Sequence, residues 1–171
     1  MAIHKELRAL QPQLLAYARA ICRSADAADD LVQDAIVRAL EAAHPPVELE
    51  DLRPWMFRIL RNLHLDSVRK LKVRAEYFTQ QKRLIASAPL TERDPASSMF
   101  VRQVFESLSP DHREVLFLVD VMGMRYAEAA GIANVARGTI MSRLNRARRA
   151  MIDRLDGTNV ADIRQHRSGT R

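Results

Sequence analysis

Apolar residues recur at steps of three and four along most of this chain, which is the spacing of one face of an α-helix. The first such stripe consists of Leu7, Leu10, Leu14, Ala18 and Ile21. Only five glycines and seven prolines occur among 171 residues, which argues against a turn-rich all-β fold and against low-complexity disorder. The pattern therefore predicts an all-α protein, with a first helix whose regular part begins near Pro12.

Two more helices are predicted before residue 73. Asp26 is placed to cap the second, whose apolar stripe ends before His44 and whose members are Leu31, Val32, Ala35, Ile36, Ala39 and Leu40. Pro54 suits the first turn of the third helix. Its expected inner residues are Trp55, Ile59, Leu63 and Leu71, and its expected outer face carries Arg58, Arg61, Arg69 and Lys72. We expect these three helices to close one small core.

The apolar periodicity lapses from about Lys72 to Ser98, where proline, threonine, aspartate and serine accumulate. That composition is typical of a flexible linker. We therefore predict two small helical domains with the linker between them and a mobile tail at the end. The predicted bounds are 1–72 for the first domain, 73–98 for the linker, 99–157 for the second domain and 158–171 for the tail.

The second domain contains the pattern of a helix-turn-helix. Ser109 and Pro110 suit a helix start, and that helix is expected to end near Gly123. A short helix is predicted from Tyr126 to about Ala133, followed by a turn at Asn134, a residue that tolerates left-handed dihedrals. A last helix is predicted from Thr139 to about Leu155. The second domain is thus expected to bind DNA.

The last predicted helix has one apolar and one basic face. Its expected inner residues are Ile140, Leu144, Ala147, Met151 and Leu155, and its outward residues are Met141, Ser142, Asn145, Arg146 and Arg149. Arg148 has no acidic residue one turn away and Arg149 has only Asp153, the one acid among the six arginines of 137–154, so this face is not self-neutralising. A recognition helix entering a major groove explains the pattern, and a solvated helix with surplus charge is the alternative.

Charge is unevenly distributed along the chain. The stretch 24–51 holds eight acids and one base, 53–74 holds seven bases and one acid, and 137–154 holds six arginines and one acid. The overall balance is +6 at pH 7, which favours a polyanionic partner such as nucleic acid or an anionic membrane surface.

Other function classes find little support. The single cysteine, Cys22, cannot form an internal disulfide, which fits a reducing cytoplasm. No apolar run approaches the roughly 20 residues that span a bilayer, so no membrane insertion is expected. The five histidines show no metal-ligand spacing, and neither a phosphate-binding glycine loop nor a nucleophile elbow occurs. We expect no enzyme activity, metal or cofactor.

Two blocks of sequence resemble the extracytoplasmic-function sigma factors of bacterial RNA polymerase. The segments 28–35 (ADDLVQDA) and 54–69 (PWMFRILRNLHLDSVR) are similar to the second sigma domain of that family. The segments 109–116 (SPDHREVL), 126–130 (YAEAA) and 138–148 (GTIMSRLNRAR) are similar to its fourth domain. The resemblance covers about residues 7–155 and is strongest to the alphaproteobacterial general-stress-response type.

The resemblance implies two contacts for the first domain. The acidic surface of the second helix is expected to bind core RNA polymerase through Asp29, Asp30, Gln33 and Asp34. Like charges spaced four apart there repel one another, and a basic partner relieves that repulsion. The third helix is expected to meet the −10 element of the promoter through Arg58, Arg61, Asn62, Asp66, Arg69 and Lys70. Trp55 and Phe57 either stack on unpaired bases or pack in the core.

The resemblance assigns the −35 element to the second domain. The expected DNA-binding residues are Arg137, Thr139, Met141, Ser142, Arg143, Asn145, Arg146 and Arg149, with Arg143 and Arg149 flanking the groove. It also implies an anti-sigma factor that covers both domains, since the linker is long enough to let them close or separate. Met141 stands where the family usually has lysine or arginine, which leaves the −35 preference open.

Two other functions compete with the sigma-factor interpretation. A one-component helix-turn-helix regulator leaves the acidic helix and the 54–69 block unexplained. A sigma-like decoy that binds an anti-sigma factor without DNA usually carries a phosphoreceiver domain, for which this chain has no room.

Overall fold

The structure, a computed structural model, describes residues 2–22, 24–77 and 97–168, with side chains over 3–22, 24–73 and 100–156. This part of the chain is helical and contains no strands, as the apolar spacing predicts. The helices are α1 (Ala2–Ile21), α2 (Ala25–Leu40), α3 (Leu49–Tyr77), α4 (Ser97–Glu106), α5 (Pro110–Leu116), α6 (Tyr126–Ala133) and α7 (Arg137–Ser168). None of these helices has the length and apolarity needed to cross a membrane.

The first domain is a three-helix core made by α1, α2 and α3. The apolar stripe of α1 is buried, and Tyr17 lies within it at 0 % exposure. Phe57 of α3 is also fully buried, with its ring centroid 5.0 Å from that of Tyr17. Phe57 therefore packs in the core and is not available for base stacking, while Trp55 is half-buried against the same core.

Three helix starts differ from the sequence prediction. α1 begins at Ala2 and contains Pro12 in its interior, and α3 begins at Leu49 with Pro54 inside it. Proline in a helix interior removes one backbone hydrogen bond and crowds the carbonyl four residues earlier. Apolar residues buried on both sides of each proline, Leu10 and Leu14 in α1 and Leu52 and Met56 in α3, favour a helix that continues through it. The N-cap of α2 is Ser24, whose hydroxyl accepts a hydrogen bond from the amide of Ala27 at 3.2 Å, and not Asp26.

The later part of α3 and the end of α7 also depart from expectation. Leu71 is 63 % exposed and does not pack inward; α3, with 29 residues, is longer than α1 and α2, and residues 69–73 are all exposed. The predicted linker 73–98 begins as helix, since α3 runs to Tyr77, and residues 78–96 lie outside the described residues. The backbone of α7 continues to Ser168, where a mobile tail was predicted, and residues 169–171 lie outside the described residues.

The second domain consists of α4 to α7. Ser109 caps α5 by accepting from the amide of His112, with Pro110 at the first helical position, as predicted. α5 continues into a short π-helical segment, Phe117–Val121, in which Phe117 and Leu118 are buried. Asn134 ends α6 with φ 51° and ψ 49°, the left-handed conformation that the helix-turn-helix pattern predicts.

The two domains pack against each other. One apolar core runs through both of them, and the ring of Tyr17 in α1 lies 5.9 Å from that of Phe117 in the π-helical segment. α3 contacts α6, and α1 contacts α5. The structure is therefore a closed arrangement of the two domains, a relative orientation that periodicity could not predict.

Candidate functional site

The acidic face of α2 is open to solvent. Asp29, Asp30, Gln33 and Asp34 are all exposed, because the opposite face of α2 carries the buried Ala28, Leu31, Val32, Ala35 and Ala39. Asp29 approaches Arg19 of α1 at 4.0 Å, at the limit of an ion pair between two exposed side chains. The exposed carboxylates of this face can form ion pairs with a basic surface.

A second exposed face lies along α3. Arg58, Asn62, Asp66, Arg69 and Lys70 are exposed and follow the helical repeat. Arg69 donates to Asp66 at 3.1 Å, a pair that water screens strongly because both side chains are more than half exposed. The face therefore presents cations and amide groups to solvent.

Arg61 does not share that face, contrary to the predicted outer row. Its guanidinium Nε donates to Glu114 Oε1 of α5 at 2.7 Å, and the Arg61 side chain is only 13 % exposed. The same Glu114 oxygen accepts from the Tyr17 hydroxyl at 2.7 Å. The reason is tertiary: the second domain packs over this side of α3, which a single-helix pattern does not reveal.

Burial shifts the pKa values of three groups near this contact, Tyr17, His64 and Cys22. Burial raises the pKa of Tyr17, and the Glu114 carboxylate raises it further, so the phenol remains a hydrogen-bond donor. Burial lowers the pKa of His64, whose Nδ1 lies 3.7 Å from Cys22 Sγ. Burial also raises the pKa of the Cys22 thiol to about 11. Tyr17, His64 and Cys22 are therefore all held neutral near pH 7.

Two more arginines of α3 reach the second domain. Arg53 Nη2 donates to the backbone carbonyl of Met122 at 2.8 Å. Arg58 Nη2 lies 3.8 Å from the point where a Cβ on Gly131 of α6 would stand. The closed arrangement thus brings Arg53 and Arg58 of α3 to two parts of the second domain, the end of the π-helical segment and α6.

The outward face of α7 follows the sequence prediction. Met141, Ser142, Asn145, Arg146 and Arg149 are exposed, while Ile140, Leu144 and Ala147 are buried. Arg137 is exposed and Thr139 is half-buried at the helix start. Arg146 Nε donates to the Ser142 carbonyl at 3.3 Å, which folds the guanidinium back along the helix.

Two arginines of α7 have partners that the sequence pattern did not show. Arg148 donates to Asp120 of the π-helical segment through Nε at 3.0 Å and through Nη2. Arg143, expected to flank the groove, pairs with Asp111 of α5 at 3.0 Å and is 23 % exposed. Both pairs hold α7 against the rest of its domain, although the Arg148 side chain is still 46 % exposed. Arg137, Arg146 and Arg149 are exposed along the same helix.

Glu114 is the residue that sequence reasoning missed. The helical spacing could have indicated its burial, because Glu114 lies three and four residues before Phe117 and Leu118 and so shares a helix face with them, and both of these residues are buried. A lone carboxylate on an apolar face indicates a buried polar contact.

Two parts of the chain match known families. Residues 7–74 match Sigma-70 region 2, and residues 101–151 match Sigma-70, region 4. The first match includes the acidic face of α2 and the exposed face of α3. The second includes the helix-turn-helix and the exposed face of α7.

Relatives of similar length agree with these matches. The chain is 36% identical to the ECF RNA polymerase sigma factor EcfG of Rhodopseudomonas palustris (strain TIE-1) over 148 residues, 86% of this chain and 81% of the relative. It is 30% identical to the ECF RNA polymerase sigma factor SigM of Bacillus subtilis (strain 168), over 72% of this chain and 77% of the relative.

A solved structure is similar to this one over most of its length. The sigma factor RpoE of Bartonella quintana, solved in complex with the anti-sigma factor NepR, superposes with a TM-score of 0.75 at 28% identity. The superposition covers 90% of this chain and 96% of that chain. The chain therefore belongs to the family of ECF RNA polymerase sigma factors, which bind core RNA polymerase and direct transcription from specific promoters.

Proposed function

We propose that this sigma factor divides its contacts between three exposed faces. The acidic face of α2 binds core RNA polymerase through Asp29, Asp30, Gln33 and Asp34. The exposed face of α3 meets the −10 element through Arg58, Asn62, Asp66, Arg69 and Lys70, and Arg61 joins it when the domains separate. The domain bounds proposed for this division are 1–72 and 99–157.

The α7 face reads the −35 element in this proposal. The observation that carries the assignment is the left-handed turn at Asn134, which directs α7 away from α6 with Met141, Ser142, Asn145 and Arg146 exposed on one side. Side chains on the exposed face of such a helix reach base edges in a major groove. Arg137, Thr139 and Arg149 lie at positions suited to phosphates, and Arg143 acts through its pair with Asp111.

Transcription in vitro tests the function directly. Core RNA polymerase with the purified protein is expected to give discrete transcripts from a library of genomic fragments of the source bacterium, because both promoter faces are present on one chain. Core polymerase alone is the control. A one-component regulator or a decoy gives no new transcripts with core polymerase, and that result contradicts the proposal.

We also propose that an anti-sigma factor sequesters the chain in the cytoplasm and that the chain serves a stress response. The support is the Bartonella quintana RpoE, which is bound to the anti-sigma factor NepR and superposes over most of this chain. A protein that binds both domains at once keeps the chain from binding core polymerase and promoter DNA.

Purification of a tagged chain from unstressed cells tests this partner. The expected product is a stoichiometric complex with one small protein, whose gene deletion raises transcription from the promoters found in vitro. Recovery of polymerase subunits alone, with no gene whose deletion raises that transcription, contradicts the proposal.

A further inference from the structure

The Glu114 carboxylate lies at the centre of the contact between the two domains. Among the residues whose side chains the structure describes, Glu114 is the one charged residue that is buried, at 7 % exposure. Its Oε1 accepts from the hydroxyl of Tyr17 and from Nε of Arg61, each at 2.7 Å. Both donors belong to the first domain, so closure of the domains satisfies this carboxylate.

A carboxylate is an unusual choice for a buried position. An apolar side chain there costs no desolvation, whereas burial of Glu114 and Arg61 removes hydration from both charges. The attraction between the two groups offsets that loss only while the domains are closed. When the domains separate, both charges regain water, so the contact favours closure without making it irreversible.

Closure withdraws Arg61 from the α3 face that is proposed to meet the −10 element, because its guanidinium is turned into the contact with Glu114. Arg58 of the same face lies beside Gly131 of the second domain but stays exposed. The guanidinium of Arg61 donates to the Glu114 carboxylate and is therefore not available to a DNA phosphate oxygen. A carboxylate and a phosphate compete for it because both are anionic acceptors.

We propose that Glu114 is a latch that keeps the free protein closed and its −10 face partly covered by the second domain. The covering of promoter contacts rests on the proposed role of α3 in binding the −10 element. The closure itself does not depend on that role, so the two can be tested separately.

The closure is measured without polymerase or DNA. Spin labels are attached to cysteines introduced as Ser67→Cys on α3 and Asp153→Cys on α7, both exposed positions. Cys22→Ala removes the native thiol from every sample. Glu114→Gln keeps the size and an acceptor oxygen but loses the charge, and Glu106→Gln removes an exposed carboxylate from the same domain as the matched control.

The distance distribution between the labels is the readout. Glu114→Gln is expected to lengthen and broaden the distances, with about a tenfold or larger rise in the open population, because Arg61 loses its buried partner. Glu106→Gln is expected to match the unsubstituted protein. An unchanged distribution in folded Glu114→Gln overturns the latch.

Access to α3 is measured by titrating a labelled single-stranded DNA of random sequence into the same proteins. Glu114→Gln is expected to bind this probe about tenfold more tightly than the unsubstituted protein. An open distribution without tighter binding overturns the claim that closure covers a DNA face. If Arg61→Ala in the Glu114→Gln background leaves the tighter binding intact, the latch is upheld and the DNA role of Arg61 fails.

A second variant keeps the test available if Glu114→Gln does not fold. Tyr17→Phe retains the buried ring and removes only the hydroxyl donor to Glu114, so a smaller change in the same direction is expected. No change of the label distances in folded Tyr17→Phe then overturns the latch.

Discussion

Reversing the charge of Asp30 and Asp34 to lysine is expected to abolish binding to core RNA polymerase while leaving the fold intact. Both carboxylates are exposed and lie one helical turn apart on α2, opposite its buried stripe. Their removal therefore creates no cavity. Close charge pairs at protein interfaces contribute about 1.5 to 7 kcal/mol each, and reversal turns two attractions into repulsions.

The binding is measured by titrating labelled protein with core polymerase, and the fold by circular dichroism. Asp153→Lys with Asp156→Lys is the matched control, because it makes the same change in net charge at exposed positions of α7. We expect the control to bind core polymerase as the unsubstituted protein does. A folded Asp30→Lys, Asp34→Lys variant with undiminished affinity contradicts the assignment of this face.

Local patterns predicted the features that depend on local chemistry. The Ser109 cap, the left-handed Asn134 and most of the stripe of α2 follow from residues within one or two turns. Leu40, predicted as the last member of that stripe, is instead 44 % exposed, because α2 ends there. The inner and outer faces of α7 were predictable for the same reason, since helical spacing alone decides which residues share a face.

Helix starts were less predictable because several residues compete for each. Ser24 caps α2 although Asp26 is an equally good capping residue, and Pro12 and Pro54 lie inside helices although proline favours a first turn. Packing against neighbouring helices decides such cases, and it is not encoded in a short window.

The contacts between the domains were beyond the reach of periodicity. Arg61 fits an outer row of α3 by composition, yet the second domain covers it through Glu114. Arg143 and Arg148 look unpaired along α7, yet Asp111 and Asp120 reach them from elements about 30 residues earlier. Polar residues that bridge distant segments become visible only when those segments are placed in space.

The recognition helix is expected to separate base reading from phosphate binding. Arg146 is exposed on the face that carries Met141, Ser142 and Asn145, and its guanidinium must leave the Ser142 carbonyl to reach a base. Arg146→Ala should weaken binding by about 1 to 3 kcal/mol and relax the choice at one or two −35 positions, if Arg146 holds a guanine edge through two hydrogen bonds. Arg146→Lys is the matched control, since it keeps the charge but loses the planar fork.

Arg149→Ala and Met141→Arg are expected to act in different ways from Arg146→Ala. Arg149 is placed for a phosphate, so its loss should weaken all sequences about equally and reduce the salt slope by about 0.9. Met141 is 45 % exposed and has no donor, so Met141→Arg should shift the preference toward guanine at the facing base pair. Selection from a randomised −35 library by polymerase holoenzyme, at two salt concentrations, measures both quantities. Identical base preferences for the unsubstituted protein, Arg146→Ala and Met141→Arg would show that α7 does not read sequence. A loss of affinity that is equal for all sequences and confined to Arg149→Ala would instead show that one helix separates phosphate binding from base reading.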